Sequence, residues 1–82
     1  MKQPTYVDGQ MICAGDRIKH AGHPAVVLAV LDTREFASDR DRAEWDFLKD
    51  GFVILEAGTS ETYHYQKADE DIELVSRAEE SC

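Results

Sequence analysis

The sequence predicts one small, mainly β domain that closes into a barrel of five or six short strands. Its 82 residues leave room for a single core. Short apolar or alternating segments recur between turn residues, which is typical of strands. An almost unbroken apolar run at residues 25–33, AVVLAVLDT, has the length of a strand buried on both faces. A single open sheet would expose unpaired edges, so closure into a barrel is favoured.

The domain is expected to occupy residues 5–75. Residues 1–4 are predicted to form a flexible N-terminal tail, and residues 76–82 a charged C-terminal tail. We expect an insertion at residues 34–49, between the central strands. The chain therefore has one domain and no second core.

The N-terminal half contains a hairpin signal followed by two strands. Asp8-Gly9 lies between two short apolar segments and predicts a tight turn. Residues 16–20 follow as a strand in which Ile18 faces the core. The long strand at residues 25–33 comes next, and the other elements are expected to cover it.

The insertion at residues 34–49 changes the pattern from strand to helix. Ser38 or Asp39 can cap a helix over residues 40–49, and Gly51 lies just beyond its end. An irregular loop is the alternative for this segment.

Trp45 and Phe47 cannot both face one core surface of such a helix, because they point about 160° apart. If Phe47 and Leu48 fill the core, Trp45 is left partly exposed beside Glu44 and Asp46. Exposed aromatic residues flanked by acids are typical anchors for a basic partner. The alternative is that Trp45 folds back as a lid over the barrel end.

Three further strands complete the predicted barrel. Residues 52–57, FVILEA, form a second apolar strand, and residues 61–66, ETYHYQ, alternate with period two. Tyr63 and Tyr65 therefore share one strand face. Residues 72–75 form a short closing strand.

The order of these segments resembles the small SH3-like barrels of bacterial KOW and Tudor-like modules. The resemblance lies in GDRI at residues 15–18, GHPAVV at 22–27, FVILE at 52–56 and DEDIEL at 69–74. It implies a five- to six-stranded SH3-like barrel, with a single-turn helix before the last strand. The helical insertion departs from the pattern, and the basic residues of a KOW nucleic-acid surface are poorly represented.

Composition restricts the function classes. The net charge of −8 disfavours nucleic acid, whose binding depends on cationic residues, and favours a basic partner. No leader and no membrane-spanning run is recognised, so the expected location is the cytoplasm. Cys13 and Cys82 do not form a disulfide framework, and Cys13 is expected to be a reduced, packed thiol.

No set of residues predicts catalysis or a bound metal. The histidines His20, His23 and His64 could be combined with Cys13 as a zinc site, but their spacing lacks a paired-ligand motif. No serine elbow, phosphate-binding glycine loop or Cys–His pairing is recognised. We therefore expect no enzyme activity, no metal and no cofactor.

The sequence favours a non-catalytic interaction module, an immunity-type inhibitor or adaptor for a basic protein partner. The residues predicted to bind that partner are Trp45, Glu44, Asp46, Tyr63 and Tyr65. With Trp45, the two tyrosines could also form the aromatic cage that Tudor-like barrels use for methylated cations.

Two alternatives stay open. A KOW-like barrel associated with nucleic acid or the ribosome would need a basic patch from Arg17, Lys19, Arg34, Arg40 and Arg42. A self-associating structural protein, such as a homodimer, would bury Trp45 or Phe47 against a second copy.

Overall fold

The computed structural model describes residues 4–77 and confirms a mainly β fold with one short helix. The elements are β1 (Arg17–His20), β2 (His23–Val30), β3 (Glu35–Phe36), α1 (Asp39–Trp45), β4 (Phe52–Glu56), β5 (Glu61–Tyr65) and β6 (Ile72–Ser76). Most of each predicted tail, residues 1–3 and 78–82, lies outside the described residues.

The six strands form one antiparallel sheet in the order β5-β4-β2-β1-β6, with β3 beside the second half of β2. No ladder joins the terminal strands β5 and β6 within residues 4–77, so the sheet is not closed. The sheet is nevertheless strongly curled, and the molecule measures 29 × 28 × 24 Å. Side chains from β1 and β5, three strand positions apart, meet across its inner face.

β2 contains a bulge, and its apolar residues contribute to two clusters on the two faces of the sheet. Val27 pairs with Ile54 of β4, but the next paired residue is Ala29, so Leu28 is the extra residue. Val27 therefore faces the inner core, while Leu28 and Ala29 pack on the outer face. The predicted burial on both faces is confirmed for this part of the strand. β2 itself begins at residue 23 and ends at residue 30, because residues 32 and 33 lie in a turn.

The inner core fills the concave face of the sheet. Its buried members are Tyr6, Ile12, Ile18, Ala25, Val27, Val30, Phe52, Ile54, Ala68 and Ile72. The predicted turn at Asp8-Gly9 is confirmed, with Gly9 at a φ of 95°. The two segments that flank this turn are joined by one isolated β-bridge, between Thr5 and Met11, and do not form a two-stranded ladder. The N-terminal segment thus closes the core mainly through buried side chains.

A buried carboxylate joins both ends of the described chain to this core. Asp16 is fully buried and its Oδ2 accepts hydrogen bonds from Tyr6 Oη at 2.7 Å and Cys13 N at 3.0 Å. Arg77 Nη1 donates to the same oxygen at 3.1 Å. A buried charge is tolerated when it is paired and hydrogen-bonded, as this one is.

Cys13 differs from the expectation of a reduced thiol, which is wrong: the residue is disulfide-bonded. The residue that follows β6 lies beside Cys13, since Arg77 Nη1 is 2.9 Å from its Sγ. Cys82, the other cysteine in the sequence, lies outside the described residues.

The insertion forms a helix, so its interpretation as an irregular loop is wrong. Ser38 is the N-cap, as predicted, and its Oγ accepts a hydrogen bond from Asp41 N at 3.2 Å. Two acidic residues lie in the first turn, where they interact favourably with the helix dipole.

The helix ends at Trp45, four residues earlier than expected. Arg34, on the other side of the insertion, donates from Nη1 to the carbonyl oxygens of Asp46 at 3.2 Å and Leu48 at 3.1 Å. These bonds satisfy carbonyl groups just beyond α1, and Leu48 N closes a turn onto Trp45 O.

Candidate protein-interaction surface

Trp45 packs over the outer face of the sheet. It is partly buried against the outer cluster, whose members are Ala29, Leu31 and Val53 with the partly buried Leu28, Phe36 and Leu48. Trp45 is thus packed, but it covers the outer face of the sheet and not the end of the predicted barrel, where the lid alternative placed it. Its Nε1 is buried without a hydrogen-bond partner among the described residues, which costs about 1–3 kcal/mol.

Phe47 is the exposed aromatic residue of the insertion, so the expectation that it fills the core is wrong. Its side chain is 75% exposed. The physical reason is the early end of α1 at Trp45, because Phe47 no longer follows the helical rotation that placed it inside.

Acidic side chains surround Phe47 in the sequence and are themselves exposed. We call Glu44, Asp46, Phe47 and Asp50 the α1–β4 patch. Asp46 contacts Arg34 at 3.4 Å, but both side chains are largely exposed, so this ion pair contributes little. The patch combines an apolar anchor with negative charge, and none of the α1 residues beside it is buried.

Tyr63 and Tyr65 lie on the opposite side of the sheet from Trp45. Both pack against the inner core, whereas Trp45 packs against the outer cluster. The five residues predicted to bind a partner therefore do not form one surface. Glu44 and Asp46 remain with the insertion, and the tyrosines belong to a separate inner-face network.

The two tyrosines pack directly against His20. The ring centroids are 4.9 Å apart for His20–Tyr63, 5.6 Å for His20–Tyr65 and 6.4 Å for Tyr63–Tyr65. Rings at these separations touch one another and leave no gap for a cation between them. The geometry favours packing over the aromatic-cage interpretation.

His20 also joins a buried carboxylate to a phenol. Its Nδ1 lies 3.0 Å from Glu56 Oε2 and its Nε2 lies 2.6 Å from Tyr65 Oη. Glu56 is only 8% exposed. This three-residue chain satisfies polar groups that would otherwise be costly to bury.

The phenols of this network are held in their protonated form. Burial, and then the negative charge of Asp69, raises the pKa of Tyr65. A hydrogen bond to Glu61 at 2.8 Å, together with burial, raises the pKa of Tyr63 to about 12. Both phenols are therefore neutral at physiological pH and can take part in the hydrogen bonds of this network.

Sequence reasoning missed Glu56 and the role of His20, although a signal was present. Glu56 is in phase with Phe52 and Ile54 along β4, so period two places all three on one face. His20 is likewise in phase with Ile18 on β1. The polar residues were overlooked because they lie at strand ends.

The basic residues considered for nucleic acid lie on different elements, Arg17 and Lys19 on β1, Arg40 and Arg42 on α1, and Arg34 in the turn before β3. Arg17 and Lys19 line an outer-face groove of about 520 Å³ with apolar residues that include Leu55 and Val75. On the insertion, Arg34 is bound to main-chain carbonyls and the Arg42 guanidinium lies 4.9 Å from the Phe36 ring centroid.

Residues 4–77 contain neither a metal-binding cluster of side chains nor a membrane-spanning helix. In this part of the chain no three side chains of histidine, cysteine, aspartate or glutamate are grouped to hold a metal ion, including the set considered with Cys13. No helix of the described segment has the length and apolarity needed to cross a bilayer.

Comparison with known proteins gives no relative. No protein-family model, curated protein or solved structure matches the chain. The function of the chain is therefore inferred from its own exposed and buried side chains.

Proposed function

We propose that the protein is a non-catalytic interaction module, an immunity-type inhibitor or adaptor, that binds a basic protein partner through the α1–β4 patch. One observation carries the proposal: Phe47 is 75% exposed on a segment whose helix buries none of its residues. A phenylalanine left this exposed contributes little to folding, so its ring is free to act as an anchor in a partner's pocket.

The chemistry of the patch indicates what kind of partner would fit. Burying an exposed phenylalanine in a partner's pocket contributes about 2 kcal/mol, as expected for an interface anchor. Glu44, Asp46 and Asp50 are exposed acids near this anchor in the sequence, and Lys49 is the exposed base among them. The chain's net charge of −8 would also accelerate encounter with a basic protein.

The fold that presents this patch is proposed to be a small SH3-like barrel. Support comes from the strand order, in which β1, β2, β4 and β5 follow one another and β6 returns beside β1. The curled sheet with an inner core agrees with such a barrel. A bacterial origin is proposed on the same resemblance.

The remaining expectations stay predictions. Tyr63 and Tyr65 are assigned here to the packed network around His20, and partner binding by them is the weaker hypothesis. A cytoplasmic location also stays a prediction, but the reduced thiol that partly supported it is not found.

Affinity capture from a native extract tests the patch. Wild type, Phe47→Ala, Glu44→Lys and a matched control, Val75→Ala, would each serve as bait. Val75 is also an exposed apolar residue, 57% exposed, but it lines the outer-face groove. We expect Phe47→Ala to weaken capture of a basic protein by about 30-fold, the equivalent of about 2 kcal/mol. Val75→Ala should retain wild-type capture.

Two results would contradict the proposal. One is equal capture by wild type and Phe47→Ala, each folded by circular dichroism. The other is a concentration-dependent increase in mass that Phe47→Ala abolishes, which would assign Phe47 to a homodimer interface instead.

A further inference from the structure

A second surface lies on the other side of the molecule from α1, between the N-terminal turn and β6. A groove of about 550 Å³ runs between residues 6–8 and three consecutive β6 residues, Ile72, Glu73 and Leu74, with Glu70 at its edge. Its volume is in the range of binding pockets, about 300–1,000 Å³.

The lining of this β6 groove shows that it follows the edge of the strand. Successive side chains of a strand point to opposite faces of the sheet. Three consecutive residues can therefore line one space only when that space lies beside the strand rather than above it. The other edge of β6 is occupied by β1, so the groove lies along the outer edge.

That outer edge is available for pairing. β6 is the last strand in the sheet order, and no other strand of the described chain lies beyond it. An edge strand presents unpaired main-chain donors and acceptors, which act as a template for another extended segment.

The chemistry of the lining selects the segment. Asp8, Glu70 and Glu73 are exposed carboxylates, and none of the residues lining the groove is basic. Hydrogen bonds from the Gln10 main chain and side chain lower the pKa of Asp8, so it stays charged. Val7, which is 64% exposed, adds an apolar surface on the wall facing β6.

We propose that the β6 groove binds an extended, basic segment of a partner protein by strand addition to β6. Main-chain hydrogen bonds to the strand edge would hold the segment, and its alternate side chains would point to opposite sides. Apolar side chains would contact Val7 and Leu74. Lysine or arginine side chains would reach Asp8, Glu70 and Glu73.

The inference rests on the proposed function only for the basic character of the partner. It uses a different surface, and Phe47 has no part in it. Lys19 lies opposite Glu73 in the β1–β6 ladder, on the outer-face groove rather than in the β6 groove.

The test uses a defined probe in place of the unidentified partner. An alternating valine–lysine octapeptide would be titrated against the full chain while backbone amide shifts are recorded by NMR. We expect saturable shifts concentrated in residues 6–8 and 72–74, and hydrogen exchange of outward-facing β6 amides slowed roughly tenfold on binding. An alternating valine–glutamate octapeptide should not bind, and a proline–lysine octapeptide, which cannot form the strand ladder, should bind at least tenfold more weakly.

Variants separate the groove from the α1–β4 patch. Glu73→Lys and, as a second variant, Glu70→Lys should each weaken the peptide by tenfold or more, whereas Phe47→Ala should bind it as wild type does. No saturable binding up to about 5 mM peptide would overturn the inference. Equal binding of the proline–lysine peptide, or shifts centred on α1, would also overturn it. If the groove fails while capture still depends on Phe47, the proposed function stands without it.

Discussion

Replacement of Asp16 by asparagine provides the sharpest test of how this small fold is held together. Three donors, from Tyr6, Cys13 and Arg77, converge on Oδ2 of this fully buried carboxylate at distances of 2.7–3.1 Å. Asparagine has nearly the same shape but no charge. Its oxygen can take the place of Oδ2 and still accept from Tyr6 and Cys13, but its NH₂ group then replaces Oδ1, which lies 3.5 Å from Arg77 Nη1.

The expected loss follows from the contacts. A hydrogen bond to a charged acceptor contributes about 1.5–3 kcal/mol and a neutral one about 0.5–1.5, so Tyr6 and Cys13 each lose about 1 kcal/mol. The contact with Arg77 loses a similar amount, since that side chain is 31% exposed and solvent weakens its pairing. Asp16→Asn should therefore lower the free energy of unfolding by about 3 kcal/mol.

Urea denaturation followed by circular dichroism measures this loss. With a slope of about 1 kcal/mol/M for a small chain, the midpoint should fall by about 3 M. The melting temperature should fall by about 12–24 °C. Glu44→Gln, at an exposed position on α1, is the matched control and should change stability by less than about 0.5 kcal/mol. A loss that small for Asp16→Asn would refute the argument that this network anchors both ends of the described chain.

The remaining predictions concern the aromatic residues. Trp45→Ala should lower the free energy of unfolding by about 2 kcal/mol or more, because it uncovers the outer cluster. Phe47→Ala should change it by no more than about 0.5 kcal/mol, because the side chain is exposed. Equal losses in urea denaturation would show that the two residues are misassigned. The pKa values of Tyr6 and Tyr65 are raised, chiefly by burial, and that of Tyr63 to about 12 by its bond to Glu61. Because a raised folded-state pKa stabilises the neutral phenol, this stabilisation is complete below about pH 10 and is lost as the pH rises through 10–12. The absorbance of ionised tyrosine should therefore rise at a higher pH in the native protein than in the urea-unfolded protein. If both forms ionise over the same pH range, these contacts are contradicted.

Much of the sheet could be predicted because local patterns determine it. The Asp8-Gly9 turn, the Ser38 cap and the apolar segments of β2 and β4 depend on residues close together in the sequence. The predicted ends of the strands were less accurate, since a strand ends where a turn replaces the hydrogen bonds to the neighbouring strand. For β2 that point is set by the turn that follows Leu31.

The candidate site was harder to predict because it depends on contacts between distant parts of the chain. Arg34 fixes the end of the insertion by binding carbonyls 12 and 14 residues away, and this early end exchanges the roles of Trp45 and Phe47. His20 meets Glu56 across 36 residues. The alternation of side chains along a strand predicts which face each residue lies on, but it does not predict which distant residue it contacts.

The bulge at Leu28 has a consequence for how the molecule tolerates change. The extra residue places Leu28 and Ala29 together on the outer face, in the cluster that Trp45 covers, while Val30 just beyond it returns to the inner core. Exposed positions of the insertion such as Glu44 and Phe47 belong to neither cluster, so they can change without removing a core contact, whereas Trp45 cannot. A chain of only 82 residues can therefore alter what its insertion recognises and keep its fold, provided that this one aromatic side chain stays.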